Sequence, residues 1–321
     1  MVQRLLRKRI LITGGTGFVG SNLARFLVNK GLSPYIFIRK DSNLWRISDI
    51  LKKLKVHIID LNDEIKTWDM ILRLKPEIIL HCAVYGGYHF QLDSKKIMQT
   101  NMFGTMNLLN ACVKSGFECF VNTSSSSEYG LKNKPMRESD LLEPVTDYGV
   151  AKAMATLFCQ QSARNKNLPI VTLRLFSPYG YFEDPRRLVA SLILSCLNHQ
   201  RPKLSSAYPV RDFVFIDDVI QAYLKTVFNI SKAAGSIINI ASGKQYSVGE
   251  VAVKIMKLIG LKDKPVWGSV KNTRLEPSRW VADISKAREL LGWSPEFSLT
   301  EGLIKTIEWF SNNKASYYDK A

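Results

Sequence analysis

Tyr148 and Lys152 stand four residues apart in the run Tyr148-Gly149-Val150-Ala151-Lys152. On a helix that spacing puts both side chains on one face, one turn apart. A free phenol has a pKa near ~10 and carries protons poorly at neutral pH. A lysine ammonium about 4 Å away in a partly dry site stabilises the phenolate by up to ~4 kcal/mol. Before desolvation subtracts from it, that effect lowers the phenol's pKa and fits Tyr148 for general acid–base work. Four serines, Ser124 to Ser127, end the apolar run that precedes this helix. A hydroxyl there can hold a reacting carbonyl oxygen against Tyr148, while others of the four can serve as caps or polar loop. A third group of residues suits an anion. Gly14 permits a tight turn, Gly17 lets the backbone approach a pyrophosphate, and Gly20 lets a helix pack close to a strand. Amides at that helix's N-terminus would face the diphosphate.

Such chemistry needs elements to hold it. Residues 9–13 (RILIT) read as a strand, and residues 21–29 as a helix with Leu23, Phe26 and Leu27 on one face. Gly31 is its expected C-cap. Residues 35–38 (YIFI) read as a second strand, so the glycines lie inside a βαβ unit. Arg39 and Lys40 follow that strand. An acid at this place accepts the ribose hydroxyls of NAD, whereas a guanidinium can grip a 2′-phosphate. NADP(H) is therefore expected ahead of NAD(H), although an Arg39 stacked on adenine would serve either. The alternation continues with strands at 56–60, 78–82, 118–122 and 170–175, and helices at 65–74, 94–112 and 148–165. The expected fold class is α/β, a doubly wound parallel (Rossmann) sheet with a smaller C-terminal α/β substrate lobe. Residues 1–173 plus 211–241 are assigned to the nucleotide-binding domain, and 174–210 plus 242–321 to the lobe.

The 321 residues are 46% hydrophobic, enough for a sizeable core, and carry a formal net charge of +17. The basic residues are spread along the chain. The densest cluster, Arg4 to Arg9, is too short for a nucleic-acid arm, so no nucleic-acid partner is expected. A Lys-rich surface, with an anionic ligand as a contributing cause, accounts for the charge. Five cysteines without CxxC spacing point to reduced, buried thiols and a cytoplasmic setting. No apolar run approaches the ~18 residues of a membrane span, and the start has no signal-peptide h-region. No metal site is expected.

Taken together, TGGTGFVG (13–20), HCAVYGG (81–87), SSSSEYG (124–130), YGVAK (148–152), LRLFSPYG (173–180), RDFVFIDDV (211–219) and ADISKARELLGWSP (282–295) resemble the extended short-chain dehydrogenase/reductase family of nucleotide-sugar enzymes. The resemblance covers nearly the whole chain. It implies that Ser125, counted back from Tyr129-Gly130, is the catalytic hydroxyl. Tyr148 is then the acid/base, and Lys152 its partner against the nicotinamide ribose. Gly14, Gly17, Phe18, Val19 and Gly20 would hold the cofactor diphosphate. Asp60 and Leu61 would lie against adenine, and Ala83 would line the cofactor. Tyr85, Ser126 and Ser177 would face the substrate, Arg211 its diphosphate, and Arg274 and Glu276 its nucleotide. The family also implies a homodimer through the helices at 94–112 and 148–165.

Two departures bear on the reaction. Dehydratases of the group carry an acidic pair just after the catalytic hydroxyl, where this chain has Ser126 and Ser127; Glu128 comes one residue late. Ser177 replaces a usual Asn. The expected activity is redox chemistry at C4 of a nucleoside-diphosphate sugar, with NADPH-dependent reduction of a 4-keto sugar placed first. An NAD-dependent 4-epimerase is the alternative, ahead of a dehydratase or a non-catalytic cofactor-binding relative.

Overall fold

Short apolar runs buried on both faces become the strands of one parallel sheet. The computed structural model describes residues 5–88, 90–270 and 278–318. Its strands are β1 (Ile10–Thr13), β2 (Tyr35–Ile38), β3 (Lys55–Ile58), β4 (Ile78–His81), β5 (Cys119–Ser125), β6 (Ile170–Leu175), β7 (Ser177–Tyr179), β8 (Lys203–Leu204), β9 (Val210–Phe215), β10 (Ile237–Ile240), β11 (Gln245–Ser247) and β12 (Val266–Trp267). Its helices are α1 (Phe18–Asn29), α2 (Glu64–Leu74), α3 (Ser94–Met98), α4 (Gly104–Ser115), α5 (Asp147–Lys166), α6 (Leu188–Leu197), α7 (Ile216–Phe228), α8 (Ile230–Ala233), α9 (Val248–Ile259), α10 (Ser285–Leu291), α11 (Leu299–Asn313) and α12 (Ala315–Tyr318).

Seven strands form the main sheet in the order β10-β6-β5-β4-β1-β2-β3, with every neighbour parallel. This is the doubly wound α/β arrangement. The winding reverses between β1 and β4, and a crevice opens at the carboxyl ends of the strands there. Successive strand residues point to opposite faces. Ile10, Ile12, Leu80 and Val121 therefore pack with Leu23 and Leu27 of α1 and Val219 and Tyr223 of α7. Leu11, Ile79 and Phe120 pack on the other side with Ile71 of α2, Leu108 and Cys112 of α4, and Cys159 of α5.

The chain after β6 builds smaller sheets. β9 pairs with β7 in parallel and with β11 in antiparallel register, and β8 pairs with β12. β9 thus stands in a small sheet, while β10 closes the large one. A third apolar cluster (Tyr129, Met136, Phe176, Ala241, Ala282 and Ile284) ties the turn after β5 to the C-terminal segment. The helix expected at 94–112 is α3 and α4, joined by a π-helical turn at Gln99–Phe103 and running on to Ser115. All five cysteines are buried and unbridged. Among the described residues no helix is long and apolar enough to cross a membrane.

Candidate active site

The turn between β1 and α1 is shaped by what a side chain would strike. Gly14 has φ +66°, and a Cβ there would lie 2.5 Å from the Cys82 carbonyl oxygen. A Cβ on Gly20 would strike the Gly14 carbonyl. Gly17 donates to the Gly14 oxygen at 2.9 Å and caps α1. The first amides of α1 have no intrahelical partner and open onto a cleft of about 1350 Å³. Gly14, Gly17, Phe18, Val19, Gly20, Arg39, Asp60, Leu61 and Ala83 line it, and so do Ser125, Ser126, Tyr148, Lys152, Ser177 and Arg211. A bare glycine cradle under a helix N-terminus, beside a long cleft, fits a dinucleotide diphosphate. Tyr85 is not among the lining residues. Its carbonyl accepts from Asn101 Nδ2 at 2.6 Å, and the following Gly86, Gly87 and Tyr88 face the cleft instead. Arg274 and Glu276 lie outside the described residues. Arg39 Nε sits 3.4 Å from Asp41 Oδ1, so its charge has a surface partner.

Ser125 ends β5, and its Oγ accepts from the Ser127 amide at 3.1 Å. It is also a hydrogen-bonding neighbour of the Tyr148 phenol. Tyr148 lies in the first turn of α5, where Thr146 caps the helix by accepting from the Gly149 amide at 3.0 Å. A Cβ on Gly149 would lie 2.5 Å from the Ser127 carbonyl. That glycine therefore lets the start of α5 close on the serine turn. Lys152 follows one turn later, only 2% exposed. The electrostatics differ from the expectation that Lys152 lowers the phenol's pKa. Burial pushes Tyr148 above its ordinary value, against the Ser125 hydrogen bond and Arg187. Burial also pushes Lys152 below its ordinary value. Both groups share one dry pocket, and desolvation penalises the charged form of each.

Residues 10–241 match the model of the NAD dependent epimerase/dehydratase family. The chain belongs to that family. An uncharacterized UDP-glucose epimerase of Bacillus subtilis is 30% identical over 314 residues, covering 95% of this chain and 98% of that protein. A human dTDP-D-glucose 4,6-dehydratase is 29% identical over 325 residues, covering 95% and 91%. The solved UDP-glucuronic acid 4-epimerase of Bacillus cereus, in complex with UDP-glucuronic acid and NAD, superposes with a TM-score of 0.83. It is 26% identical, with 95% of this chain and 99% of that one covered. This chain is an NAD-dependent enzyme of the nucleotide-sugar epimerase/dehydratase kind.

The resemblance implies an acidic pair after the catalytic serine in dehydratases, and in this chain the acid following Ser126 and Ser127 is Glu128. Glu128 is fully buried. Its Oε2 accepts from Arg174 Nη2 at 2.6 Å and Nε at 3.0 Å. Its Oε1 accepts from Thr156 Oγ1 at 2.7 Å and from Ser124 Oγ. The carboxylate is directed into the core, where its charge favours the ammonium form of Lys152 from behind. Sequence reasoning weighed Glu128 as an acid and missed Arg174, its partner.

Further supports surround the site. His81 is buried, and its Nδ1 lies 2.7 Å from Thr13 Oγ1 and its Nε2 2.9 Å from Thr105 Oγ1. Thr105 donates to the Asn101 carbonyl, so Nε2 carries the imidazole proton. Burial lowers this histidine to about 3, which keeps it neutral. Trp280 Nε1 donates to Ser126 Oγ at 3.2 Å, and the Arg211 guanidinium lies 5.4 Å from the Trp280 ring. Asp212 accepts from the Ser242, Gly243 and Ala282 amides and fixes the loops beside Arg211. Of these, His81 lies in the quoted motif HCAVYGG and Arg211 and Asp212 in RDFVFIDDV, whereas Thr105 and Trp280 carried no sequence signal.

Proposed function

We propose that this enzyme is an NAD-dependent 4-epimerase of a nucleoside-diphosphate hexose. The sequestered Glu128 carries this reading. The one acid adjoining the serine turn is spent on Arg174, and Ser126 and Ser127 cannot protonate a leaving hydroxyl, so C4 redox remains without elimination. Tyr148, ionised against the burial penalty with the support of the Ser125 hydrogen bond and Arg187, takes the proton of the C4 hydroxyl while Ser125 holds that oxygen. The glycine turn and Lys152 would hold NAD, which would supply the acceptor and donor of the C4 hydride. Tyr148 gives its proton back to the C4 oxygen as the opposite face of the sugar is reduced, so no net oxidation results. Lys152 positions the ribose and supports the phenolate. Arg211 takes the substrate diphosphate, with Ser177 near the sugar and Arg274 and Glu276 near the nucleotide. Segments 174–210 and 242–321 form the substrate lobe, and two copies pair through α4 and α5 in a cytoplasmic enzyme.

The test supplies UDP-glucose and UDP-glucuronate with NAD and follows the C4 epimer by NMR. Epimer without net NADH supports the proposal. A second reading rests on Arg39 at the end of β2: reduction of a 4-keto nucleotide sugar with NADPH, in which Tyr148 only donates its proton. Stoichiometric NADPH consumption on a 4-keto substrate would move the assignment there. Release of water to give a 6-deoxy-4-keto product would overturn both, and Glu183, which also lines the cleft, would be the first acid to replace.

A further inference from the structure

A buried guanidinium needs a counter-charge, because the hydration it loses on leaving water is restored only by an opposite charge. Arg174 has Glu128. Arg46, in the segment after β2, is 9% exposed and among the described residues has no carboxylate within ion-pair distance. Its Nε donates to the Phe182 carbonyl at 2.7 Å, and its Nη1 reaches the Thr16 carbonyl at 3.4 Å. Its guanidinium stacks 4.6 Å from the Trp45 ring. These contacts orient the group without cancelling its charge. Asp184 and Glu183 lie close enough to feel its charge, but their hydrogen bonds and close contacts go to other arginines. Asp184 holds Arg186 at 2.8 Å, and Glu183 faces Arg187 at 3.8 Å. Burial also pushes Glu183 up to about 8, so at neutral pH it is mostly uncharged. The tyrosines around this group, Tyr88 and Tyr317, are likewise held neutral by burial. Arg46 lines the main cleft, and Thr16, which it touches, is the middle of the glycine turn.

We propose that Arg46 is a cofactor-binding residue whose guanidinium makes charge-assisted hydrogen bonds to the diphosphate cradled by the glycine turn. The turn's amides offer neutral donors and a helix dipole. Arg46 adds the full positive charge, and the diphosphate supplies an anion in direct hydrogen-bond contact with the guanidinium, whose present partners are carbonyls. The inference rests on the dinucleotide reading of the turn.

The experiment titrates wild type, Arg46→Gln and Arg46→Lys with NAD, NADP, ADP-ribose and adenosine, by calorimetry and by the fluorescence of the adjacent Trp45. Gln keeps a donor toward Phe182 and removes the charge, and Lys restores the charge. A charged hydrogen bond contributes enough that Arg46→Gln should weaken NAD and ADP-ribose by roughly ten- to a hundredfold. Adenosine binding should be unchanged, and Lys should recover part of the loss. A cooperative melt of each ligand-free variant excludes unfolding as the cause. Equal ADP-ribose affinity in wild type and Arg46→Gln would overturn the role of Arg46 alone. A loss confined to NADP would move Arg46 to the 2′-phosphate and overturn the diphosphate assignment. A wild type that binds none of the dinucleotides would overturn the dinucleotide reading, and this inference with it.

Discussion

Tyr148 and Lys152 share a pocket in which each is biased toward its neutral form, so their chemistry depends on what is brought close to them. Spacing alone shows the pair on one helix face. It does not show the burial that reverses the first-order electrostatic argument, because burial is set by strands far away in the chain. Tyr148→Phe keeps the ring and deletes the proton carrier. Turnover should fall by ~10²–10⁴-fold while NAD binding persists, measured by steady-state rates alongside calorimetry. Glu183 carries a second residue-scale expectation. Its folded-state carboxyl is raised from 4.5 to about 8 by burial. The folded protein therefore binds this proton more tightly than the unfolded chain does. The stability it contributes is full below pH 4.5 and is lost as pH climbs toward 8. Glu183→Gln should flatten that decline and gain on the order of 1–3 kcal/mol at pH 8. A denaturant series from pH 5 to 8 measures it, and an unchanged slope would refute the assignment.

At the scale of elements, the site is a meeting of the carboxyl ends of β1 to β6 with the starts of α1 and α5. The βαβ unit and the glycine turn were legible, because glycine spacing and apolar runs are local signals. The contact of α5 with the serine turn was not. It depends on Gly149, which reads in the sequence only as a spacer between Tyr148 and Lys152. Gly149→Ala would place a methyl 2.5 Å from the Ser127 backbone oxygen and push the helix start away. The expected cost is about 1–3 kcal/mol of stability. Turnover should fall further than NAD affinity, since the Ser125–Tyr148 contact opens while the glycine turn is untouched. The Glu128–Arg174 pair joins the turn after β5 to β6 and was equally hidden, because a buried ion pair leaves no periodicity. Glu128→Gln strands Arg174 in the core and should cost about 3–5 kcal/mol by chemical denaturation.

At the scale of the molecule, the large sheet was legible and the small ones were not. β7, β8, β11 and β12 are two or three residues each, too short to show a period of two. Their pairing is decided by contacts across the chain. The outer surface of the helix layer raises a further question. Met154 and Leu157 on α5 are 41% and 54% exposed, and Phe103, at the start of α4, is 49% exposed. The inner faces of these helices are already committed to the sheet. A second stripe of large apolar side chains on neighbouring helices costs solubility unless another surface covers it. In a symmetric pair each stripe would meet its own copy across a two-fold axis. A carboxylate placed at the centre of that stripe would meet its own image, and two like charges in a desolvated contact repel. Leu157→Glu should therefore convert a wild-type dimer into a monomer at micromolar concentration, read by light scattering on a sizing column. The Tyr148 pocket faces the cleft, so NAD binding by the monomer should survive. A wild type that elutes as a monomer, or a Leu157→Glu variant that stays dimeric, would remove these helices as the pairing surface.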